Sequence, residues 1–325
     1  MAETAKRLNW KLMRKHVALA LVLGVSAQSI GWARQPVRTA HAMVVAQEPI
    51  AADVGVAVLK NGGNAVDAAI AVATTLAVTY PYAGNLGGGG FMLVRMADGR
   101  TAFFDFRERA PAAAAPKMYL DQNGKPTRDS IVGWRASGVP GTVRGLELAH
   151  RKFGQQPWSG LLTPAIKLAS EGFPVSNAFS QSMKSAGRPR TTAPDSSILT
   201  AGGILTHDPE SRRIFLRSNR YYEPGETLVQ PELAATLHRI QKSGAADFYE
   251  GETAHRFAKE MAAHGGLITL QDLKTYQAVE RKPLQGTFRD FTILSAPPPS
   301  TGGIGLLQML NMLEGSGYEK NGLGS

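Results

Sequence analysis

The 325-residue chain contains no cysteine. That excludes a disulfide framework, a Cys-ligated zinc site and a cysteine nucleophile. It also lacks the common signatures of several enzyme classes. The glycines at 84–90 do not fit G-x-G-x-x-G. Gly124-Lys125-Pro126-Thr127 has no upstream glycine and places Pro after Lys, so nucleotide binding has no support. No serine sits in G-x-S-x-G, and none of the seven histidines forms H-E-x-x-H. His255 and His264 lie nine apart and read as a helix-surface and a helix-end residue, so no metal is expected. Beyond residue 33 there is no long apolar run, heptad series or repeat, which excludes a membrane-spanning segment there and a solenoid.

What is present is a globular composition with an excess of positive charge. The chain is 43% hydrophobic and 19% charged, with a formal charge of +10. Such a chain can bury a substantial core. Much of the charge density sits at the start, where Lys6, Arg7, Lys11, Arg14 and Lys15 precede the apolar run 17–25. Small residues follow, and this is the order of a secretory signal peptide; the run is too short to span a bilayer, and either Val25-Ser26-Ala27 or Gly31-Trp32-Ala33 can supply the cleavage site, the second taken here to give residues 1–33. That segment holds five basic residues and one acidic one, a surplus of four, so +6 of the +10 remains on residues 34–325. Periplasmic or secreted localisation follows. Arg188, Arg190, Arg212, Arg213, Arg217 and Arg220 lie among Ser, Gly and Pro with few aromatics, so they read as a solvated face rather than a nucleic-acid surface.

The order of elements predicts an α+β unit. Residues 42–46 read as a short buried strand, Pro49 opens a helix to Lys60, and Asn64 caps an apolar helix over 65–78. Asp98-Gly99 turns a hairpin between strands at 91–96 and 101–106. Helices are expected at 142–153, 164–170, 231–242 and 252–263, with peripheral loops and short helices over 177–230. Thr269 to Asp272 has the form of a capping box. A strand at 288–295 precedes Pro297-Pro298-Pro299 and an apolar helix over 304–313, which exposes more apolar surface than a terminal helix should leave without a partner.

Two features stand out chemically. Gly87, Gly88, Gly89 and Gly90 run into an apolar strand, which makes sense where the chain approaches another backbone or a ligand, or takes positive φ. Asp105-Phe106-Arg107-Glu108 ends the second strand, and an arginine there can hold a carboxylate in a bidentate pair. Each also has a plain structural reading: a tight packing turn for the glycines and a surface ion pair for the arginine.

At these residues the chain resembles the gamma-glutamyltransferases. The resemblance is carried in order by Asn61-Gly62-Gly63-Asn64-Ala65-Val66-Asp67-Ala68-Ala69, Gly84-Asn85-Leu86-Gly87-Gly88-Gly89-Gly90-Phe91 and Asp105-Phe106-Arg107-Glu108 with Ala110-Pro111. It continues through Ser137-Gly138-Val139-Pro140-Gly141-Thr142-Val143, Gly265-Gly266-Leu267-Ile268-Thr269 and Pro297-Pro298-Pro299-Ser300-Thr301-Gly302-Gly303. It implies an N-terminal-nucleophile hydrolase fold, a four-layer αββα sandwich made as one precursor that cuts itself into large and small subunits. The nucleophile is the threonine freed at the small subunit's N-terminus, and the usual donor is glutathione, whose γ-glutamyl group passes to water or to an amino acid or peptide.

By the same resemblance Arg107 binds the donor's α-carboxylate. Glu108 reads as orienting Arg107 or forming a local ion pair rather than doing acid–base work, and the glycines as supporting elements. No cofactor is implied. The small subunit's Thr-Thr-His or Thr-Ser-His start is missing. Thr39-Ala40-His41 and Thr253-Ala254-His255 keep the Thr and His, but Met43 and Phe257 stand where the family signature has Ser or Thr, so neither is a credible nucleophile. Residues 34–325 thus read as an incomplete sandwich, the large-subunit portion, without a catalytic residue of its own. Two other readings remain: an N-terminal-nucleophile acylase for glutaryl-cephalosporin or poly-γ-glutamate, and a non-catalytic carboxylate-binding protein.

Overall fold

A computed structural model describes residues 36–186 and 208–317. The chain divides into two units, Met1–Met43 and Val44–Ser325, and residues 36–43 of the first hold no helix or strand. The signal segment expected at 1–33 lies outside the described residues, as do Arg188 and Arg190.

In chain order the second unit holds α1 (Pro49–Lys60), α2 (Ala65–Thr79), β1 (Phe91–Arg95), β2 (Thr101–Asp105), α3 (Thr142–Phe153), α4 (Trp158–Glu171), β3 (Phe173–Pro174) and α5 (Asn177–Ala186). It continues with α6 (Pro209–Phe215), β4 (Leu216–Arg217), β5 (Arg220–Tyr221), β6 (Thr227–Leu228), α7 (Pro231–Ser243), α8 (Ala245–Glu250) and α9 (Glu252–Ala263). The last elements are α10 (Leu270–Thr275), β7 (Val279–Arg281), β8 (Leu284–Phe288), β9 (Phe291–Ser295) and α11 (Gly302–Leu313).

Local chemistry sets the first helices. Pro49 occupies the first turn of α1, where its missing N–H costs nothing, and the Glu48 carboxylate accepts from Ala51 N–H at 3.1 Å. Asn64 Oδ1 accepts from the N–H groups of Val66 and Asp67, while the Asp67 carboxylate accepts from Asn64 N–H, a reciprocal cap at the start of α2. Asp67 is fully buried and also accepts from Gln155 N–H at 3.1 Å, which ties that helix start to the segment after α3. Being apolar almost all round, α2 packs against both α1 and α4.

A three-stranded antiparallel sheet carries the site, in the order β1-β2-β7. The Asp98-Gly99 turn closes the β1–β2 hairpin with Gly99 at φ +88°. Met92 lies opposite Phe104 and Val94 opposite Ala102, and this face meets the helices, with the Phe104 and Phe153 rings edge to face at 6.1 Å. The core beneath is completed by Tyr249, whose ring stacks on Tyr276 at 5.8 Å and whose hydroxyl donates to Pro140 O at 2.9 Å. Fully burying side chains such as Ile70, Leu162 or Leu237 stabilises the fold by roughly 1.5–3 kcal/mol each.

Several expectations are corrected. Residues 42–46 form no strand; no partner strand accompanies them among the described residues, and Val45 is 84% exposed. The helix expected at 164–170 begins at Trp158, with Pro164 inside it. The proline removes one hydrogen bond to the carbonyl of Gly160, which lies on the exposed side, so the helix tolerates it. The strand expected at 288–295 is a hairpin: Phe288 ends β8, Phe291 opens β9, and Arg289 turns between them at φ +52°. Helix α8 was not anticipated. Thr269 does form its capping box with Asp272, at the start of α10.

Candidate substrate-binding site

The site begins where the glycine segment meets the end of β2. Gly90 and Phe106 exchange both main-chain hydrogen bonds, extending the hairpin ladder by one pair. A Cβ at Gly89 would lie 2.5 Å from Phe106 O and 2.7 Å from Glu108 N, and one at Gly90 would lie 3.0 Å from the Phe106 ring. Close backbone approach therefore accounts for Gly89, and none of Gly87, Gly88, Gly89 or Gly90 has positive φ. Gly87 is different, since a Cβ there would meet nothing within 4 Å. The four glycines do not share one purpose.

A third segment closes onto these two. Gly88 O accepts from the N–H groups of Gly141 and Thr142, at 2.7 and 3.1 Å. Asn85 Oδ1 accepts from Gly88 N–H at 2.9 Å and from the Thr142 hydroxyl at 2.8 Å, fastening the glycine turn to the start of α3. Gly141 packs so tightly that a Cβ would lie 2.1 Å from both Phe106 O and the Tyr276 hydroxyl. Arg109 and Val139 then pair through two main-chain bonds, 3.2 and 2.7 Å.

Arg107 lies between these fastenings and is exposed. Its N–H donates to Asp105 Oδ1 at 3.1 Å, and its carbonyl accepts from the Tyr276 hydroxyl at 2.8 Å. Among the described residues no hydrogen bond or ion pair engages its guanidinium. Among the described residues the surface ion pair considered for this arginine does not form, and neither does a pairing with Glu108. Glu108 lies beside Gly138, where an added Cβ would sit 2.9 Å from Glu108 Cβ. Burial pushes the Tyr276 hydroxyl up to about 12, against the opposing pull of the Arg109 guanidinium, whose centre lies 5.4 Å from the ring. For Asp272, burial raises the carboxyl, but hydrogen bonds from the Thr269 hydroxyl and the Ala112 and Thr269 N–H groups outweigh it and hold the group below its ordinary value.

Beside the site lies an apolar cavity of about 460 Å³, lined by Ala69, Ala73 and Leu76 of α2 together with Gly89, Phe91 and Leu93. Neither Arg107 nor Glu108 lines it. It adjoins the edge of β1 that has no strand partner among the described residues. On α11, Met309 is 54% and Met312 71% exposed, matching the uncovered apolar face read from the sequence. Among the described residues no group of three or more His, Asp or Glu side chains is placed to hold a metal ion, and no helix is long and apolar enough to cross a membrane. His264 ends α9 and stacks on Trp134 at 4.4 Å, while His255 is exposed on the helix surface.

The gamma-glutamyltranspeptidase family profile matches residues 51–325, which span every segment of the site. The chain belongs to this family. As a gamma-glutamyltranspeptidase family member it is 45% identical over 291 residues to the glutathione hydrolase proenzyme of Escherichia coli strain K12, covering 89% of this chain and 48% of that protein. It is 43% identical over 304 residues to the glutathione hydrolase proenzyme of Pseudomonas sp. strain A14, covering 91% and 50%. The chain thus spans about half the length of the curated relatives it matches. In structure it is similar to the gamma-glutamyltranspeptidase of Helicobacter pylori, with TM-score 0.82 and 37% identity over 90% of this chain and 80% of that one. It is also similar to a cephalosporin acylase from Bacillus halodurans, with TM-score 0.70 and 26% identity over 88% and 52%. The α+β, N-terminal-nucleophile hydrolase assignment is thereby supported from both directions.

Arg281 joins the candidate site through Asp105, whose Oδ2 accepts from its Nε–H at 2.8 Å. Sequence reasoning named Arg107, Glu108 and the glycines for this candidate site but not Asn85, Asp105, Gly141, Arg281 or Tyr276, which the structure places around them. Asn85, Asp105 and Gly141 stand inside segments that carry the family resemblance. Tyr276 and Arg281 stand in none of them.

Proposed function

We propose that residues 34–325 are the donor-binding, large-subunit portion of a gamma-glutamyltransferase that cleaves γ-glutamyl amides such as glutathione and passes the acyl group to water or to an amino acid or peptide. The observation that carries this reading is Arg107: an exposed guanidinium on a fastened main chain, with no anionic partner among the described residues, inside the family-matching segment. Its planar fork suits the donor's α-carboxylate. The relatives named proenzymes, of about twice this length, support a precursor that supplies a second subunit. The nucleophilic threonine and the oxyanion hole then come from sequence other than these 325 residues. The apolar face of α11 and the open edge of β1 are surfaces suited to that subunit. Export through a cleaved segment 1–33 to the periplasm or medium completes the proposal.

The purified 325-residue chain is expected to show no hydrolysis of a γ-glutamyl anilide above background, whereas the longer precursor turns it over. Turnover by the chain alone would place a nucleophile within it and overturn this division of labour. The acylase reading keeps some support from relatives named acylase, such as the ACY 1 proenzyme of Pseudomonas sp. strain SE83, at 36% identity over 299 residues. Arg107 does not separate the two readings, because a glutaryl group also carries a carboxylate.

A further inference from the structure

Residues on both sides of Arg107 are held by strand-type pairing, but Arg107 is not. Phe106 pairs with Gly90 and Arg109 with Val139, so Arg107 falls between two ladders. Its two main-chain polar groups are taken by side chains instead. Asp105 Oδ1 accepts from Arg107 N–H, while Asp105 Oδ2 accepts from Arg281 Nε–H at 2.8 Å, which fixes the carboxylate. On the other side the Tyr276 hydroxyl donates to Arg107 O across 169 residues of sequence. Tyr276 is 2% exposed, and its ring is held between Tyr249 and the Arg109 guanidinium. A hydroxyl pushed up to about 12 keeps its proton at every working pH, so the donor is permanent.

We propose that Tyr276 and Asp105 are positioning residues for Arg107, clamping its carbonyl and N–H so that the guanidinium is presented at a set height and angle to the donor's carboxylate. This rests on the reading of Arg107 as the carboxylate ligand. The α-carboxylate does not change charge when the bond at the γ-carbon breaks. Its contact therefore contributes equally to ground and transition states, and a loosened clamp appears in KM rather than kcat.

The test uses the complete, processed enzyme and two donors: a γ-glutamyl anilide, and a 4-aminobutyryl anilide with the same chain but no α-carboxylate. Tyr276→Phe keeps the ring and deletes only the hydroxyl. It is expected to raise KM for the γ-glutamyl donor about three- to tenfold, the range a lost neutral hydrogen bond gives. The kcat should stay within twofold and kcat/KM for the 4-aminobutyryl donor should not change. Added to Arg107→Ala, it should produce no further loss. Arg281→Gln frees the other side of the clamp from an exposed position and should repeat the Tyr276→Phe pattern, which keeps the test alive if Tyr276→Phe fails to mature.

Equal losses on both donors, or losses that multiply with Arg107→Ala, would mark a merely structural role and overturn the proposal. So would an unchanged KM in Tyr276→Phe, or in Arg281→Gln should Tyr276→Phe not be recovered, where Arg107→Ala itself raises KM. If Arg107→Ala leaves KM unchanged, the carboxylate reading fails and the clamp proposal with it.

Discussion

Replacing Arg107 with alanine in the complete enzyme is expected to raise KM for a γ-glutamyl donor by about 10- to 150-fold. The estimate follows from the loss of a charge-assisted pair worth about 1.5–3 kcal/mol. The structure makes a clean test possible. Among the described residues the guanidinium makes no hydrogen bond or ion pair, and the main-chain fastenings at N–H and carbonyl do not need the side chain. Folding and maturation should therefore be retained. The effect should be confined to donors that carry the α-carboxylate, so the preference for γ-glutamyl over 4-aminobutyryl anilide should collapse in the variant. Lysine should restore only part of the loss, since a single ammonium cannot reproduce the planar two-point contact. An Arg107→Ala enzyme with wild-type KM would remove Arg107 from the site.

Gly89→Ala and Gly87→Ala should differ sharply although the two positions are only two apart. The added methyl at Gly89 would press on Phe106 O at 2.5 Å and Glu108 N at 2.7 Å. Both are main-chain atoms, and that stretch is already bound to Gly90, Asp105 and Tyr276. No flexible side chain is available to yield, so the loss should reach about 3 kcal/mol or more, enough to reduce the yield of folded protein severely. At Gly87 an alanine meets nothing within 4 Å and needs no positive φ, so its effect should stay within about 0.5 kcal/mol. Thermal unfolding and yield of the two purified variants measure the contrast. Comparable stability for both would show that the glycine segment does not derive its shape from packing on residues 106–108.

Local signals were legible wherever the deciding chemistry lies within a few residues. Pro49, the reciprocal cap of Asn64 and Asp67, the Asp98-Gly99 turn and the Thr269 cap each act within one turn of chain, and each appears where its pattern places it. Pro164 misled because a proline reads as a boundary, yet a helix with an exposed carbonyl to spare accommodates it. Residues 42–46 misled because an apolar run needs a partner strand, and none accompanies it among the described residues. At the site, Arg107 was legible as an arginine at a strand end, and its proposed role as a carboxylate ligand only through the family resemblance. What holds it was not. The Tyr276 hydroxyl and the Arg281 guanidinium arrive from residues far along the chain, 169 positions on for Tyr276, and no local pattern announces such a contact. Nor did spacing alone reveal that Glu108 packs beside Gly138.

The ratio of kcat/KM for a γ-glutamyl anilide to that for a glutaryl anilide, measured on the complete processed enzyme, tests the central claim most directly. The two donors share the carboxylate that Arg107 would hold and differ only in the α-amino group. A gamma-glutamyltransferase should favour the γ-glutamyl donor by about tenfold or more, because a site built to bind an amino group is left with unpaired polar atoms when it is absent. A glutaryl donor turned over equally well, or better, would contradict the account and place the chain among the acylases.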